Sequence, residues 1–293
     1  MIGDNHFYGH AQILRRYCSV AAPLPVPGRL QHGWMPGPGM SERLLDEPWL
    51  KLVWSRRNLR QCWAAGARDV APIGAPFLYL PPARAADPPP RSLLVYPFHG
   101  WEKEKVFGDM AAYAKAIGEL EAEGFGPVTV CLYWVEYEDA TIRQIFEGRG
   151  WSVITNGHRD GNPDFLVRQR EALLSSAYVT SNRVCTAAFY ALAAGRRFFL
   201  YGPSMGLSAT DDPTGEGFGR WQAEAFPALT WEGFGDRLHQ DIGLEELGAE
   251  YVLAPEAMRA LFGWTPLGLP RALAPVARRA LWKARALRPL LRR

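Results

Sequence analysis

The chain has 293 residues, of which 48% are hydrophobic and 22% are charged, a composition that excludes a disordered protein. Its net charge is +3, but eight of its 33 Lys and Arg and none of its 30 Asp and Glu follow residue 269, so residues 1–269 carry a net charge of −5. The positive charge is therefore concentrated in a C-terminal tail on a mildly acidic body.

The first 80 or so residues are predicted to form a short α/β domain, which at this length is only a partial Rossmann domain. Continuous apolar runs predict strands, and apolar residues at helical spacing predict helices. In chain order the predicted elements are a helix at 5–18, a strand at 29–34, a strand at 49–54, a helix at 57–67 and a strand at 69–74.

Residues 81–92 contain five prolines and are predicted to be a semi-rigid linker. The predicted divisions are therefore an N-terminal domain at 1–80, a larger domain at 93–262 and a basic tail at 263–293. Four scattered cysteines without CxxC spacing are predicted to be buried apolar residues rather than metal ligands or disulfides.

The larger domain alternates apolar strands with helices, which predicts a doubly wound parallel sheet covered on both faces. The predicted strands are 92–98, 127–135, 151–155, 177–181 and 196–202. The predicted helices are 106–123, 141–150, 163–175 and 185–195. The predicted fold class is α/β, with two Rossmann-like domains of which the first is abbreviated.

In an open parallel sheet, ligands bind beyond the carboxyl ends of the strands. In the larger domain these ends are the polar or small segments 98–102, 136–139, 156–162, 180–186 and 201–205. In the fourth, Thr180, Ser181 and Asn182 are candidates to cap the following helix and leave N–H groups for an anion, with Thr186 adding a hydroxyl. An ordinary helix cap is an equal alternative.

Histidines and amides at other strand ends are further candidates for the same ligand. His99 could donate to a phosphate oxygen, and Asn156 and His158 could recognise a base or ribose edge. For each, an exposed loop residue without function is the alternative.

The N-terminal domain offers candidates for proton transfer. His32 follows a predicted strand and precedes a glycine, which suits a general base that deprotonates an acceptor hydroxyl. Asp4 is either the N-cap of the first helix or a catalytic carboxylate. His6 and His10 lie four residues apart, but without an evident third ligand they predict no metal site.

The tail is predicted to form a basic amphipathic helix. Val276, Ala280, Ala284, Leu287 and Leu291 share one helical face, and the basic side chains of Arg278, Arg279, Lys283, Arg285 and Arg288 lie largely around the rest. Such a helix favours an anionic membrane surface. Packing against the acidic body is the competing interpretation.

The chain resembles the GT-B superfamily of glycosyltransferases, particularly enzymes of bacterial capsule and lipopolysaccharide biosynthesis. The resemblance rests on FYGHAQILRRY, LQHGW, SRRN and IGAPFLYL in the first part and on YVTSNRVCTAAFYALAAGRRFFLYG in the second. It implies two facing Rossmann-like domains and metal-independent transfer of a sugar from a nucleotide sugar to a glycan or lipid-linked acceptor. His99, Ser181, Asn182 and Thr186 would lie on the donor side, and His32 would be the base.

Two alternatives remain beside this hypothesis. CDP-glycerol-type polyol-phosphate transferases share much of the layout, and a non-catalytic glycan-assembly partner could keep the fold without the chemistry. The absence of GxGxxG, Walker A, GxSxG and HExxH motifs gives no support to NAD, ATP or triad chemistry. No cofactor, metal or nucleic-acid partner is predicted. The sequence has neither a signal-peptide pattern nor a long apolar stretch, so the chain is expected in the cytoplasm. The basic tail is expected to attach it peripherally to the inner face of the membrane.

Overall fold

The computed structural model describes residues 4–21, 24–83 and 87–264, which form two compact units. Unit 1 combines the described residues up to Pro81 with Arg159–Pro163 and the segment from Glu245 onward. Unit 2 comprises Pro82–His158 and Asp164–Leu244. The units therefore differ from the predicted linear division at 81–92, because the chain returns to unit 1 twice.

The described residues contain ten strands, listed here as the structure has them: β1 (Arg29–Leu30), β2 (Lys51–Val53), β3 (Val70–Pro72), β4 (Leu93–Val95), β5 (Val106–Phe107), β6 (Val128–Cys131), β7 (Ser152–Ile154), β8 (Tyr178–Ser181), β9 (Arg197–Leu200) and β10 (Gly206–Leu207). The α-helices of the same residues are α1 (His10–Tyr17), α2 (Glu42–Leu45), α3 (Arg56–Ala64), α4 (Met110–Ala122), α5 (Trp134–Glu138), α6 (Ala140–Glu147), α7 (Phe165–Leu174), α8 (Thr186–Ala193), α9 (Glu216–Ala225), α10 (Trp231–Phe234), α11 (Gln240–Glu246) and α12 (Pro255–Phe262). Short 3₁₀ helices cover Asp4–Gly9, Pro76–Tyr79, Pro227–Leu229 and Ala249–Tyr251.

Unit 1 is built on a three-stranded parallel sheet in the order β1-β2-β3. Buried Val53, Leu59 and Cys62 pack the sheet and α3 together on one side. The chain after Leu244 joins this unit through side-chain and backbone contacts: Trp34 donates its ring N–H to Glu246 at 2.7 Å, and Ala75 donates its N–H to the carbonyl of Leu247 at 2.8 Å. These bonds explain why residues beyond the larger sheet belong with the N-terminal residues.

Unit 2 is built on a five-stranded parallel sheet in the order β7-β6-β4-β8-β9. Counted along the chain this is 3-2-1-4-5, the order of the first five strands of a Rossmann sheet. The chain moves outward from β4 to β7 and then crosses back to β8 on the other side of β4. The topological switch point therefore lies between the carboxyl ends of β4 and β8. The predicted fold class, α/β with Rossmann-like units and an abbreviated first one, is confirmed.

The strands and helices of unit 2 follow from the sequence pattern. All three residues of β4 and all four of β8 are buried, as a sheet covered on both faces requires. Asp109 begins α4 by accepting from the N–H groups of Ala111 and Ala112 at 2.8 and 3.0 Å. Asp139 caps α6 in the same way. These carboxylates satisfy N–H groups that a helix start leaves without partners.

Several predicted elements are wrong in part. The strand at 29–34 ends at Leu30, and the helix at 106–123 begins only at Met110, because Val106 and Phe107 form β5. The helix at 5–18 is interrupted, because Phe7 is extended and Tyr8 has a φ of 57°, so α1 begins only at His10. The predicted strand at 127–135 ends at Cys131, and α5 begins at Trp134. The first two residues of α5, Trp134 and Val135, are aromatic and β-branched, which are residue types that favour strands. The interruption also breaks the helical spacing of His6 and His10.

A two-stranded antiparallel ribbon of β5 and β10 was not predicted. β5 belongs to the loop after β4, and β10 belongs to the loop after β9, the two strands that flank β8 in the sheet. The ribbon therefore joins the loops on either side of the carboxyl end of β8. Gly215 lies against the backbone just before β10. A Cβ at this position would lie 2.0 Å from the carbonyl oxygen of Met205, so only glycine fits there.

All four cysteines are free thiols; Cys18, Cys62 and Cys131 are buried as predicted, and Cys185 is partly exposed. No helix in the described part of the chain is long and apolar enough to cross a membrane. The predicted tail helix at 276–291 lies outside the described residues.

Candidate functional site

At the switch point of unit 2, one buried amide side chain holds the surrounding loops together. Asn182, which follows β8, accepts a hydrogen bond from the Phe98 N–H at 2.9 Å and donates one to the Pro203 carbonyl at 2.9 Å. The side chain of Gln222 donates to the Asn182 carbonyl at 3.3 Å. One side chain thus fixes the loops that follow β4, β8 and β9.

Arg183 places a cation at this point. Its guanidinium carbon lies 4.4 Å from the ring centroid of Phe98 and 3.7 Å from that of Phe218, and one of its nitrogens donates to the Met205 carbonyl at 3.2 Å. Burial lowers the pKa of Arg183, and the charge of Asp212 raises it. Because an arginine keeps its charge under all ordinary conditions, the site holds a positive charge clamped between two rings.

Ser181 and Thr186 lie where the sequence placed them, but they do not cap a helix as predicted. α8 begins at Thr186, its N-cap is Cys185, and no side chain makes a capping hydrogen bond. The Ser181 hydroxyl is buried and donates to the Arg183 carbonyl at 2.9 Å. Thr186 is partly exposed at the first position of the helix. The cap prediction is therefore wrong, because three residues separate β8 from the N-cap.

The Cys185 thiol lies at the N-cap of α8, where two opposing effects act on it. Burial raises its pKa, whereas the N–H groups of Ala188 and Ala187 lower it. Those N–H groups carry the positive end of the helix dipole, which favours negative charge. Burial outweighs the N–H groups at the thiol itself, so the pKa of Cys185 is raised overall.

His99, in the loop after β4, is exposed but held in one orientation. Its ring stacks on Tyr133 with centroids 4.4 Å apart, and its Nδ1 atom lies 2.7 Å from the Gly100 carbonyl oxygen. The N–H of the same Gly100 residue donates to Glu136 Oε1 at 2.7 Å. Glu136 is 4% exposed, and its Oε2 atom has no hydrogen-bond partner among the described residues.

Asn156 and His158 follow β7 and have different environments. Asn156 is buried and donates to Gln169, which in turn donates to the Tyr96 hydroxyl at 2.8 Å. His158 is exposed, stacks on Trp134 with centroids 3.9 Å apart and lies 3.2 Å from a Glu138 oxygen. The Asn156 amide therefore contributes to an internal hydrogen-bond network, and His158 presents its ring to solvent.

In unit 1, His32 lies two residues beyond β1 and is partly exposed. Its ring meets that of Phe7 edge-on at 4.9 Å. The neighbouring Gln31 accepts from the Trp54 N–H at 3.0 Å, which ties the carboxyl ends of β1 and β2 together. His32 therefore occupies the strand end where a parallel sheet places its ligands.

His10 packs behind this strand end. It is fully buried, neither ring nitrogen has a hydrogen-bond partner among the described residues, and its ring lies 6.2 Å from that of Trp54. Burial lowers its pKa well below the ordinary value, and His32 adds to this shift. His10 is consequently neutral in the folded protein. The side chain of Asp4 lies outside what the structure describes.

Within the described ranges no three His, Cys, Asp or Glu side chains are grouped to hold a metal ion. The tail residues Arg278, Arg279, Lys283, Arg285 and Arg288 lie beyond Trp264, outside those ranges.

The structure adds two groups that the sequence alone did not single out. Arg183 follows the small-residue segment at the end of β8, and Glu136 lies in the polar segment after β6. A charged residue two positions after the end of β8 was the signal for Arg183. No sequence signal could show that Glu136 is buried against the loop after β4, since that contact joins residues 36 positions apart.

No family model matches this sequence, and no curated protein matches it. Among solved structures, a co-structure of S. aureus MnaA with UDP matches with a TM-score of 0.40 and 10% sequence identity. The match covers 72% of this chain and 57% of that one, so this chain spans less than two thirds of the length of the matched protein.

Proposed function

We propose that this protein is a glycosyltransferase that transfers a sugar from a nucleotide-sugar donor to a cell-surface glycan acceptor. Unit 2 would bind the donor at its switch point. The observation that carries the proposal is the Arg183 guanidinium, held between the rings of Phe98 and Phe218 at the carboxyl ends of β4 and β8. A fixed cation beside the start of α8 suits a diphosphate.

The same groups would supply the electrostatic part of catalysis. Negative charge grows on the diphosphate as the sugar leaves, and fixed positive groups stabilise it without having to reorganise. Arg183 and the first turn of α8 would do this without a metal, so we expect turnover to continue in EDTA. His158 would present its exposed ring to the base, and the Asn156 amide would hold the loop that carries it.

The acceptor chemistry is assigned to unit 1. A partly exposed His32 at a strand end suits a general base, which removes the acceptor hydroxyl proton during attack. We expect His32→Ala to lower turnover by about 10²- to 10⁴-fold with unchanged donor affinity. Asp4, the other candidate from the sequence, is the next residue to test if His32→Ala keeps its rate.

The first experiment measures ligand binding with UDP-glucose, GDP-mannose and CDP-glycerol. A ligand that binds only the folded state raises the melting temperature. We expect one of the three to do so in the wild type and much less in Arg183→Met, which keeps the apolar packing and removes the charge. If none of the three stabilises the protein, the proposal of a nucleotide-linked donor is wrong.

The second experiment separates this function from its alternatives. Incubation with the bound donor and a membrane extract that contains acceptor glycans should release free nucleotide, which a coupled phosphatase assay detects. Stabilisation by CDP-glycerol with release of CMP would identify a polyol-phosphate transferase. Binding without any nucleotide release would identify a non-catalytic partner.

A further inference from the structure

We propose that Phe7 and Arg159 form a subsite for an acidic sugar, so that the acceptor carries a carboxylate or a phosphate close to the hydroxyl group that reacts. This inference rests on the proposed function, because it names the class of acceptor that unit 1 would bind. It gives a role to Arg159 and to the kinked segment around Tyr8, neither of which the proposed function uses.

The subsite lies next to the strand end that carries the candidate base. The Phe7 ring meets the ring of His32, which follows β1, with centroids 4.9 Å apart. The guanidinium carbon of Arg159 lies 4.6 Å from the centroid of the same Phe7 ring. The imidazole and the cation are therefore separated by no more than one aromatic ring. The anion and the reacting hydroxyl group would then belong to one sugar residue or to two neighbouring ones.

The chemistry of these groups suits a sugar that carries an anion. The side chains of Phe7, Tyr8 and Arg159 are all partly exposed, so each has surface in contact with solvent. The CH groups of a sugar ring pack on the negative face of an aromatic ring. A guanidinium binds the oxygens of a carboxylate or a phosphate through paired hydrogen bonds. A neutral sugar would use only the rings, whereas an acidic sugar would use the rings and the cation.

The backbone that carries Phe7 is fixed on both sides. Before it, the buried side chain of Asn5 accepts from the N–H of Leu30 in β1 at 2.9 Å. After it, the Tyr8 N–H donates to the Arg159 carbonyl at 2.6 Å. The main chain therefore holds Phe7 and Arg159 together in addition to the contact between their side chains.

The kink at Tyr8 costs free energy that the surrounding fold supplies. Tyr8 has a φ of 57°, in the left-handed region that side chains rarely adopt. Gly9 follows with a φ of 72°, and a Cβ there would lie 2.6 Å from the Pro163 carbonyl oxygen, so the segment 159–163 packs directly on the kink. Strained backbone of this kind is concentrated at ligand sites. The kink therefore supports a binding role for the residues beside it.

One neighbouring charge opposes an anion at this place. Asp160 follows Arg159 in the chain, and its side chain is exposed. Water and salt screen an exposed charge, so Asp160 weakens the attraction of Arg159 for an anion without cancelling it. We expect Asp160→Asn to bind an acidic sugar more tightly than wild type does.

The experiment measures the binding of methyl glycosides by saturation-transfer NMR, which detects weak ligands of the intact protein and needs no donor. The glucoside, the galactoside and the mannoside are each compared with the corresponding uronate and the corresponding sugar phosphate. Arg159→Met keeps apolar cover on Phe7, Arg159→Lys keeps the charge, and Phe7→Leu removes the ring. Arg60→Met removes an exposed charge from α3 in the same unit and is the control. The basic tail is the same in every variant, so binding of acidic sugars to the tail cancels in the comparison.

In at least one of the three series, wild type should bind an acidic sugar about 10-fold or more tightly than the neutral one, the effect of a hydrogen bond from a charged group. Arg159→Met should bring the two affinities together, and Arg159→Lys should keep a preference for the acid. Phe7→Leu should weaken acidic and neutral sugars by the same factor, because both use the ring. Arg60→Met should behave as wild type. The melting temperature of each variant shows whether it is folded.

Neutral sugars that bind as tightly as acidic ones in all three series would overturn the proposal. A preference for the acid that survives Arg159→Met would place the anion elsewhere and would also overturn it. A lower melting temperature of Arg159→Met with unchanged sugar affinity would show a merely structural role.

The same measurements separate this inference from the proposed function. Binding of a nucleotide-linked donor without preference for any acidic sugar would leave the proposed function standing and remove only the subsite. Binding of acidic sugars through Arg159 without binding of any donor would remove the transfer reaction and leave the subsite.

Discussion

The side-chain amide of Asn182 accepts from the backbone N–H of Phe98 at 2.9 Å, so a residue after β8 fixes the loop after β4. Its amide nitrogen donates to the Pro203 carbonyl, also at 2.9 Å. Since Phe98 carries the guanidinium of Arg183 on its ring, the same bond supports the cation of the candidate site.

Asn182→Ala should destabilise the protein and weaken donor binding. The Phe98 N–H and the Pro203 carbonyl both lose their partner. Both hydrogen bonds are partly buried, and a bond of this kind contributes roughly 0.5–1.5 kcal/mol. Urea unfolding measures the loss of stability. Ser175→Ala removes an exposed hydrogen bond to the Ala172 carbonyl and should change stability by less than about 0.5 kcal/mol. Equal effects of the two variants would contradict the bridging role.

The strands of unit 2 could be predicted because their apolar runs are continuous, as in β4, where every residue is buried. Their order in the sheet and the pairing of β5 with β10 could not, because both depend on contacts between distant residues. The bend at Tyr8 was hidden for a different reason. A tyrosine rarely adopts positive φ, and only the fold around it makes that conformation acceptable.

The candidate site was predictable to the level of the strand end and not to the level of the atom. Segment 180–186 was placed at the right position, yet Ser181 and Asn182 turn inward to bond the backbone. Side chains of this type satisfy nearby backbone groups as readily as they bind ligands, and the sequence does not distinguish the two. Whether Ser181, Asn182 and Thr186 bind a donor stays a prediction.

Arg183→Met should lower donor affinity by about 10- to 100-fold, the effect expected for losing a hydrogen bond from a charged group. The methionine keeps apolar contact with Phe98 and Phe218 but loses the hydrogen bond to the Met205 carbonyl, so the ligand-free variant should melt at a somewhat lower temperature. Affinity is therefore compared at a temperature at which both proteins are fully folded. Calorimetry at low and high salt measures the affinity, and wild type should lose more affinity with salt than the variant does. Arg168→Met removes an exposed charge on α7 and serves as the control, and an equal loss in that variant would contradict a specific contact.

Thr186→Asp should weaken donor binding without destabilising the fold. Thr186 is partly exposed at the first position of α8, where a carboxylate stabilises a helix by about 0.3–1 kcal/mol. The same charge would repel a diphosphate at that position. Ser181 is unsuitable for this test, because it is 1% exposed and an aspartate there would disturb the interior. Thr186→Asn has a similar shape without charge, and if it weakened binding as much as Thr186→Asp the charge would not be the cause.

His10→Phe should raise stability, and more so in acid. Burial keeps the pKa of His10 well below 6.5, so the folded protein holds it neutral while the unfolded chain binds a proton below about that pH. Stability contributed by this group is therefore present above the unfolded value and is lost as the pH falls below it, by up to about 1.4 kcal/mol per pH unit. Phenylalanine does not titrate and leaves no unpaired nitrogen.

Urea unfolding at about pH 7.5 and about pH 5.5 tests this linkage, with His6→Phe as the control because His6 is exposed. The gain of His10→Phe over wild type should be larger at the lower pH, and His6→Phe should show no such dependence. A gain that is the same at both values would mean that folding does not lower the pKa of His10.

The basic segment at 270–293 should bring the protein to anionic membranes. It has eight basic residues and no acidic ones. Each basic residue near an anionic lipid surface contributes about 1 kcal/mol of attraction, and salt screens this attraction. Sedimentation with vesicles should show binding that requires anionic lipid and falls as salt is added. A chain that ends before Pro270 should not bind, and replacement of Arg278, Arg279, Lys283, Arg285 and Arg288 by Gln should have nearly the same effect.

If the segment instead packs on the acidic body, the shortened chain will melt at a lower temperature and the intact protein will not bind the vesicles. Equal sedimentation with neutral and anionic vesicles would exclude electrostatic attraction, and with it the idea that this segment brings the enzyme to a lipid-linked acceptor.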